Sequence, residues 1–452
     1  MALSNLLSIA RGAMFTHQKA VDVTGHNIAN ASTEGYSRQR AVITTLDPAR
    51  TPWGFVGRGV TVESVERWRN EYLDISYRRE NSTYGKYSTL NDTLSEIEAI
   101  FGEPSETGLE ASLDAFWNAW NDLANSPMNL PARTVLQMQG RAVAEQLNFF
   151  SNRVADIRTN VTARFSSEVD DINTLANQIA ELNEQISRAS NDAPDLADER
   201  DLIVDQISSL MNVTVTEDEF GSISLFVGDA LIVDHNVTRE LRIGSSSSGA
   251  VNLYAENRTS PIVPADGKFA GYLEILGEAI PGIEDRLDTL AEGLVTTVNA
   301  IHRTGGTLAG DAAGDFFDPD GTTADTIALS FAVNASADVI AAGSGSGPGD
   351  GSVALSMADL RGTPISSLGD KSASQYYMEL ISEVGQDVRG ATMFVEAQDT
   401  LVQNFQNRRS SDSAVSLDEE MVNLVSHQTA YAAATRLFSV ADEMLQDVLN
   451  MV

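Results

Sequence analysis

The sequence predicts a mainly α-helical protein with a smaller β component, in which the helices at the two ends of the chain pair with each other. Three observations predict this fold. Apolar residues recur in steps of three and four at the beginning of the chain, and a second heptad pattern closes it. Between residues 213 and 243, short β-branched runs separated by acidic and glycine turns replace the helical period. A chain of 452 residues is long enough for about three domains.

The N-terminal segment predicts one long helix over residues 3–30. Its apolar residues form a heptad seam with small residues beside it. The residues that we expect to pack are Leu3, Leu7, Met14, Val21 and Ile28. Such a helix is too long and narrow to bury its own apolar face, so it requires a partner helix. Asn30 and the turn-rich run up to Gly35 indicate where it ends.

The C-terminal segment predicts the partner helix. Ser416 and Glu419 have the spacing of a capping box, and no helix breaker follows them. The residues that we expect on its apolar face are Met421, Leu424, Tyr431, Phe438 and Leu445. Two heptad-bearing helices at opposite ends of one chain predict a discontinuous terminal domain, residues 1–32 plus 416–452, held together as a coiled coil.

A helical-bundle middle domain is predicted over residues 33–304 plus 370–415. The helical period is found at residues 113–123, 133–150, 154–186, 198–211, 283–302 and 375–407. Antiparallel β hairpins are expected within this domain, near residues 213–275. The pattern therefore predicts a bundle of helices with a β element attached to it.

Residues 305–369 differ in composition from the rest of the chain, because they are rich in Gly, Asp, Ser and Ala. We expect a small, loop-rich β insert here, with a few strands around residues 327–333. Its aspartates could in principle hold a calcium ion, although Asp-Pro and Asp-Gly pairs are also ordinary turn sequences. These aspartates are Asp311, Asp315, Asp318 and Asp320.

The charge balance argues against two classes of partner. Lys plus Arg number 30 and Asp plus Glu number 64, so the formal net charge is −34 at pH 7. Such a charge repels phosphate backbones and anionic lipid headgroups, so we expect no nucleic acid and no membrane as partners. The absence of cysteine excludes disulfides and thiolate chemistry. The first residues lack the order of a secretory signal, which favours a cytoplasmic location or export without signal cleavage.

No motif assigns a catalytic, cofactor-binding or metal site. The five histidines occur singly, and phosphate-binding and nucleophile-elbow motifs are missing. The acidic run at residues 217–219 could supply carboxylates for glycan hydrolysis, although solvated surface charge explains it equally well. The aromatic cluster Phe116, Trp117 and Trp120 is expected to anchor a helical layer, with a binding hot spot as the alternative. The sequence therefore predicts a protein that is not an enzyme.

Residues 27–40, NIANASTEGYSRQR, resemble the N-terminal signature shared by flagellar rod, hook and hook-associated proteins. The signature turn is carried here by Asn27, Asn30, Thr33, Gly35 and Tyr36. The residues after Gly35 are most similar to the form found in the hook-associated protein 1 family. Further blocks similar to that family follow in the same order, at residues 113–127, 195–227, 298–305, 314–321, 375–385 and from 415 onward.

The resemblance implies an elongated, multi-domain axial protein of the bacterial flagellum, a structural subunit of the junction between hook and filament. It implies self-assembly through terminal helices that are largely disordered in the monomer. The implied partners are further copies, the hook protein, hook-associated protein 3 on the filament side, and an export chaperone at the C-terminal helix. The implied location is extracellular, reached through the flagellar export channel without a cleavable signal peptide. Another axial protein, such as the hook protein, is the alternative.

Overall fold

The computed structural model describes residues 2–51, 54–103, 105, 108–189, 193–245, 251–345, 347 and 349–450. Helices form most of the regular structure, and every strand pair within these residues is antiparallel. The predicted mainly helical fold with antiparallel hairpins is therefore confirmed. Within the same ranges, no helix combines the length and the apolar content that crossing a bilayer requires.

The helices are α1 (Ala2–Ala29), α2 (Glu71–Phe101), α3 (Leu109–Asn125), α4 (Leu130–Arg188), α5 (Pro194–Leu210), α6 (Lys268–Glu274), α7 (Ile280–His302), α8 (Phe331–Ala335), α9 (Ser352–Ala358), α10 (Ala373–Ser413) and α11 (Leu417–Asn450). A π-helical turn, Ile275–Ala279, connects α6 to α7. Short 3₁₀ turns accompany α8 and α9.

The strands are β1 (Gln39–Thr45), β2 (Ala49–Thr51), β3 (Gly54–Val56), β4 (Val60–Arg67), β5 (Thr214–Glu217), β6 (Ile223–Val227), β7 (Ala230–Asp234), β8 (Val237–Thr238), β9 (Leu241–Ser245) and β10 (Val251–Ala255). β1 pairs with β4, and the connection between them carries the hairpin β2–β3. Strands β5 to β8 form one sheet in sequence order, and β9 pairs with β10. The β element expected near residues 213–275 is therefore present.

Helix α4 is one helix of 59 residues where the sequence pattern predicts two, at residues 133–150 and 154–186. Asn129 caps its first turn, because the Asn129 side chain accepts a hydrogen bond from the Ala132 N–H at 3.3 Å. Its buried residues continue through the gap between the two predicted helices, because Phe150 and Val154 are both buried. Helix α4 contacts α2, α3, α5, α7 and the sheet β5–β8. It is therefore the central helix of the bundle.

The hydrophobic pattern does not predict helix α2, because many of its buried residues are small or polar. They include Ser76, Ser82, Gly85 and Thr89. A Cβ atom on Gly85 would lie only 2.2 Å from the carbonyl oxygen of Ser209 on α5. The small residues therefore let two helix backbones approach each other, which a search for apolar periodicity cannot detect.

The aromatic cluster of α3 is buried, which confirms that it anchors a helical layer. The side chains of Phe116 and Trp120 are fully buried. Their ring centroids lie 5.6 Å and 5.4 Å from that of Phe316 in the insert. Aromatic pairs at such separations add to the free energy gained by burial. Most buried apolar residues of the insert therefore belong to the main hydrophobic core, beside a small separate cluster of Ala313, Ala341 and Val353.

The structure corrects the expected β character of residues 305–369. The part of this stretch that the structure describes contains α8, α9 and 3₁₀ turns, and isolated β-bridges take the place of strands. At residues 327–333, a single β-bridge between Phe317 and Leu329 and the first residues of α8 replace the expected strands. The Ser330 side chain accepts a hydrogen bond from the Val333 N–H at 3.3 Å and so caps this helix.

Two buried polar side chains attach the insert to α7. The Asn299 amide oxygen accepts hydrogen bonds from the N–H groups of Phe316 and Phe317, both at 2.9 Å, and its nitrogen donates to the Phe317 carbonyl at 2.9 Å. His302 Nδ1 donates to the Gly314 carbonyl at 2.7 Å, and Nε2 accepts from the Ala341 N–H at 2.9 Å. Burial lowers the pKa of His302, in agreement with this neutral form.

Substitution of Asn299 tests this attachment. We expect Asn299→Ala to lower the free energy of unfolding by about 3 kcal/mol, because it leaves three buried backbone hydrogen bonds without their partner. Urea unfolding followed by circular dichroism measures the effect. Asn152→Ala is the control, since this exposed amide donates only within α4 and its loss should cost less than about 0.5 kcal/mol. Equal losses from the two substitutions would contradict the attachment.

Candidate functional site

Helices α1 and α11 lie against each other. The ring centroids of His17 and His427 are 5.7 Å apart, and the side-chain nitrogen of Asn27 donates to Glu420 Oε2 at 3.0 Å. Higher residue numbers on α1 therefore meet lower numbers on α11, so the two helices are antiparallel. The structure thus brings together the two helices that the heptad patterns single out.

The face of α11 that lies toward α1 repeats in steps of four and three. Its positions are Glu420, Leu424, His427, Tyr431, Ala434, Phe438, Ala441 and Leu445. Glu420, Ala434 and Ala441 are buried. Of the residues expected to pack, Leu424, Tyr431 and Leu445 are half-buried and Phe438 is 37% exposed.

Large apolar residues of α11 stay exposed on the sides of the helix that do not face α1. We call this set the α11 outer face; its members are Leu417, Met421, Val425, Leu437, Val440, Met444 and Val448. The first three lie on a different side of the helix from the last four. Met421, which the sequence pattern places among the packing residues, belongs to this face and is 52% exposed. Within one chain, α11 thus uses only part of its apolar surface.

The predicted seam of α1 is half-buried, and other residues of the helix are buried instead. Leu3, Leu7, Met14, Val21 and Ile28 all keep partial exposure. The buried residues are small or polar, namely Ala10, Thr16, Ala20, Val23, Thr24 and Asn27. The cause is that β1 and β4 also contact α1. The sequence pattern did not reveal this second contact.

Asn27, the first residue of the signature turn, connects four parts of the structure. Its amide oxygen accepts hydrogen bonds from the Tyr36 hydroxyl at 2.8 Å and from the Gln39 N–H at 2.9 Å. Its nitrogen donates to the Gln39 carbonyl at 2.8 Å and to Glu420. The side chain is 1% exposed, so α1, the turn, β1 and α11 share one buried amide.

The other signature residues shape the turn itself. The Thr33 N–H donates to the Asn30 carbonyl at 2.9 Å, and its hydroxyl donates to the Asn30 side chain at 3.1 Å. Gly35 has a φ of +77°, a left-handed conformation that favours glycine. Burial and the nearby carboxylates raise the pKa of Tyr36, which keeps its hydroxyl protonated as a donor to Asn27.

The residues after the turn connect α11 on one side to α5 on the other. Arg38 pairs with Glu420 at 2.7 Å and with Glu419 at 2.9 Å. The Ser37 N–H and hydroxyl donate to the two carboxylate oxygens of Asp198 at 2.8 and 2.7 Å. Glu419, expected to cap α11, thus pairs with Arg38, and the turn lies between the terminal helices and the bundle.

Beside this turn, arginines and aspartates alternate in a buried cluster, which we call the Arg–Asp cluster. Its members come from the end of β4, α2, α5 and the end of α10. They are Arg67, Arg69, Asp74, Arg78, Asp198, Asp201, Asp205 and Arg409. The side chains are at most 20% exposed.

Each arginine of the cluster bridges at least two carboxylates, and Arg69 pairs with three. Arg67 contacts Asp201 at 2.6 Å and Asp198 at 3.0 Å. Arg409, at the end of α10, contacts Asp74 at 2.8 Å and Asp205 at 2.7 Å. The cluster therefore fixes four elements to one another at the point where the terminal helices leave the bundle.

Two aspartates of the cluster have pKa values shifted in opposite directions. Burial would raise the pKa of Asp201, but Arg69, Arg67 and Arg78 outweigh it and hold that pKa below its usual range. For Asp198, burial is the larger effect and raises the pKa, despite hydrogen bonds from Ser37 and the charge of Arg67. Asp201 is therefore the ionised centre of the cluster.

Sequence reasoning missed this cluster, although a signal for it exists. Asp198, Asp201 and Asp205 are spaced by three and four, so they share one face of a predicted helix. Arg67 and Arg69 alternate around Trp68. Nothing in these spacings shows that the two groups meet, since they are more than a hundred residues apart in the chain.

The aspartates of the insert form ordinary turn and ion-pair contacts. Asp315 pairs with Arg303 at 2.6 Å, and the Asp318 side chain accepts the Asp320 N–H at 3.1 Å. Across the described ranges, no group of three or more His, Asp or Glu side chains is placed to hold a metal ion.

Three family models match parts of the chain. The flagellar hook-associated protein FlgK helical domain matches residues 94–317. The C-terminal model of the flagellar basal body rod FlgEFG proteins matches residues 406–451, and the flagella basal body rod protein model matches residues 7–36. The two terminal matches coincide with α11 and with α1 and its turn.

The flagellar hook-associated protein 1 of Bacillus subtilis (strain 168) is 31% identical, over 98% of this chain and 97% of its own length. The chain belongs to the flagellar hook-associated protein 1 family. The family member from Escherichia coli (strain K12) is 22% identical over 99% of this chain and 100% of its own length. The family resemblance that the sequence analysis found in the signature turn and the later blocks is thus confirmed, and it extends over nearly the whole chain.

A solved structure has a similar fold. The flagellar hook junction protein FlgK from Burkholderia pseudomallei gives a TM-score of 0.68 at 15% sequence identity, covering 75% of this chain and 100% of that chain. The mainly helical fold with hairpins is therefore that of the hook-associated protein 1 family.

Substitution of Asp201 tests the Arg–Asp cluster through pH. We expect Asp201→Asn to cost about 3 kcal/mol of unfolding free energy at pH 7, because it removes one counter-charge from each of three buried arginines. Because the folded pKa of Asp201 lies below its unfolded value of about 4, its contribution is complete above that pH and is lost as the pH falls below it. The difference between wild type and variant in urea unfolding should therefore shrink below pH 4.

The exposed Asp170 on α4 is the matched control, because Asp170→Asn removes the same charge from the surface. It should change the unfolding free energy by less than about 0.5 kcal/mol at either pH. A difference between wild type and Asp201→Asn that stays constant from pH 7 to pH 3 would rule out the ionised role of Asp201.

Proposed function

We propose that this chain is a structural subunit of the bacterial flagellum that joins the hook to the filament and has no catalytic activity. The observation that carries the proposal is the α11 outer face, which stays exposed after α11 has packed against α1. Exposed apolar patches of this kind are typical of protein–protein contacts. The names of the relatives, hook-associated and hook junction proteins, support the location of those contacts.

The pairing of α1 and α11 is an antiparallel coiled coil in this proposal. Support comes from the steps of four and three on the inner face of α11 and from the antiparallel contacts at His17 and Asn27. Alanines at buried positions 434 and 441 allow the helices to approach closely. The half-buried apolar residues beside them complete their packing when further copies add their own terminal helices.

The domain organisation follows the same division. Residues 1–32 plus 416–452 form the terminal assembly domain, residues 33–304 plus 370–415 form the helical domain, and residues 305–369 form a small insert. The Arg–Asp cluster and the turn residues that bind α5 and α11 support a fixed joint between the first two. A fixed joint suits a subunit that must hold its place in an axial structure.

Its neighbours in the flagellum are further copies of itself, the hook protein, and hook-associated protein 3 on the filament side. The chain reaches the outside of the cell through the flagellar export channel, without a cleavable signal peptide. An export chaperone covers the α11 outer face before assembly, as expected for an amphipathic helix that a partner binds in a groove.

Deletion of the gene tests the proposal. We expect cells that carry hooks without filaments, release flagellin into the medium and cannot swim, because filament subunits then have no surface on which to assemble. Electron microscopy and a motility assay measure the outcome, and a plasmid copy should restore filaments. Normal filaments on the deletion strain would contradict a role at the junction.

A pair of substitutions at Phe438 tests assembly through the terminal helices. Phe438→Asp places a charge beside α1, so we expect at least a tenfold loss of the chain from sheared flagella. Phe438→Leu keeps the position apolar and should be incorporated nearly as well as wild type. Immunoblotting of sheared flagella against total cell protein measures incorporation.

Ser439→Asp adds the same charge at the next, exposed position of α11 and is the control. It should be incorporated normally. If Phe438→Asp were incorporated as well as Ser439→Asp, the inner face of α11 would not take part in assembly.

A further inference from the structure

A groove with a volume of about 480 Å³ lies between α2, α7 and α10. Its floor is apolar and includes Leu90, Leu94, Ile283 and Val384. Gly390 lies on its wall, and a Cβ atom built there would meet no other atom within 4 Å. The groove is therefore open and large enough to admit a bulky side chain of another molecule.

The rim of this groove is acidic. Glu274 and Glu383 have counter-charges, from Lys86 at 2.8 Å and from Arg286. Glu278 and Asp387 also line the groove, and neither forms an ion pair with any residue that the structure describes. Burial and the neighbouring Glu383 raise the pKa of Asp387, so this carboxylate is held in a position that a cation would stabilise.

The backbone on one side of the groove is irregular. The π-helical turn Ile275–Ala279 contributes Glu278 and Ala279 to the lining. Such turns are rare and are frequently found at functional sites. Here the turn places Glu278 at the rim.

Elsewhere on the same chain, the hairpin β2–β3 has the opposite character. Phe55 on β3 is 73% exposed. Arg50 on β2 and Arg58 just after β3 are exposed, and neither pairs with an acidic residue in the part of the chain that the structure describes. The hairpin and the groove are therefore complementary. The hairpin has one exposed aromatic ring between two unpaired arginines, and the groove has an apolar floor with two unpaired carboxylates on its rim.

We propose that the β2–β3 hairpin of one copy docks in the groove between α2, α7 and α10 of a second copy. Phe55 enters the apolar floor, and the two arginines pair with Glu278 and Asp387. This contact gives the proposed junction subunit a second lateral interface besides its terminal helices, and it rests on that proposed function.

The charge of the chain favours the β2–β3 hairpin over other surfaces of a second copy as the segment that fills the groove. With a formal net charge of −34, two copies repel each other in most orientations. The hairpin is a place where free positive charge and exposed apolar surface coincide, so it reverses that repulsion locally. Hairpin and groove are different surfaces, so the contact is heterologous and generates a ring or a helical array instead of a closed dimer.

Photo-crosslinking in assembled flagella tests the contact. Phe55 is replaced by p-benzoylphenylalanine in the full chain, flagella are sheared from the cells and irradiated, and dimers are analysed by mass spectrometry. We expect a dimer band whose crosslinked peptide includes part of residues 87–94, 274–286 or 380–394 of the second copy, the three segments that line the groove. The same photo-crosslinker at Val237, which is also exposed on a hairpin, should give no crosslink to these segments.

Charge reversal and groove filling give independent readouts of the same contact. Arg50→Glu with Arg58→Glu, or Glu278→Lys with Asp387→Lys, should each lower the dimer band at least tenfold per incorporated chain. The four changes together should restore it, because each copy then carries reversed charges on both surfaces. Gly390→Leu keeps every charge but fills the groove and should also abolish the band.

The possible outcomes separate the contact from the proposed function. Absence of the wild-type chain from sheared flagella would contradict the junction role itself. Its presence with Phe55 crosslinked to another protein or to a different segment would overturn the contact alone. The contact would also be overturned if the two double variants lowered the dimer band and the fourfold variant did not restore it.

Discussion

The buried Arg–Asp cluster is the constraint on which the rest of the structure depends. It combines charged side chains from the end of β4, α2, α5 and α10, and each arginine has at least two carboxylate partners. Removing ions from water costs several kcal/mol per group, and only close, complete pairing offsets that cost. A cluster of this kind adds little net stability compared with apolar packing. It specifies one relative placement of four elements, because any other placement leaves a buried charge unpaired.

The cluster acts on the terminal helices through a short series of contacts. Asp198 binds Arg67 inside the cluster and Ser37 in the signature turn. The next residue, Arg38, binds Glu420 on α11, and Glu420 in turn accepts a hydrogen bond from Asn27 on α1. Charge-assisted hydrogen bonds are stronger and more directional than neutral ones. These side-chain contacts therefore fix the direction in which α1 and α11 leave the bundle, so that no flexible linker determines it.

The sequence predicts the parts of this fold that have an apolar period, and it fails where packing uses small or polar residues. The heptads of α1 and α11 are strong enough to place those helices, and the period of α4 predicts its helical character but divides it into two helices. Helix α2 escapes prediction because Gly85 and its small neighbours, and not large apolar residues, form its contact with α5. The Arg–Asp cluster could not be predicted because its arginines and aspartates approach each other only after long-range folding. In the insert, the Ser330 side chain caps the short helix α8 within a region expected to form strands, a local contact that composition does not reveal.

The net charge of the chain opposes self-association, whereas its exposed apolar surface favours it. The two effects act over different distances. At physiological salt, repulsion between charges is screened beyond about 8 Å, whereas burial of apolar surface stabilises a contact only when water is expelled. The charge of −34 therefore opposes close approach in general, although the α11 outer face carries several large apolar residues. An acidic chain with an apolar terminal helix associates only in orientations that bring complementary surfaces into full contact. This combination disfavours disordered aggregates and favours association in a few defined orientations.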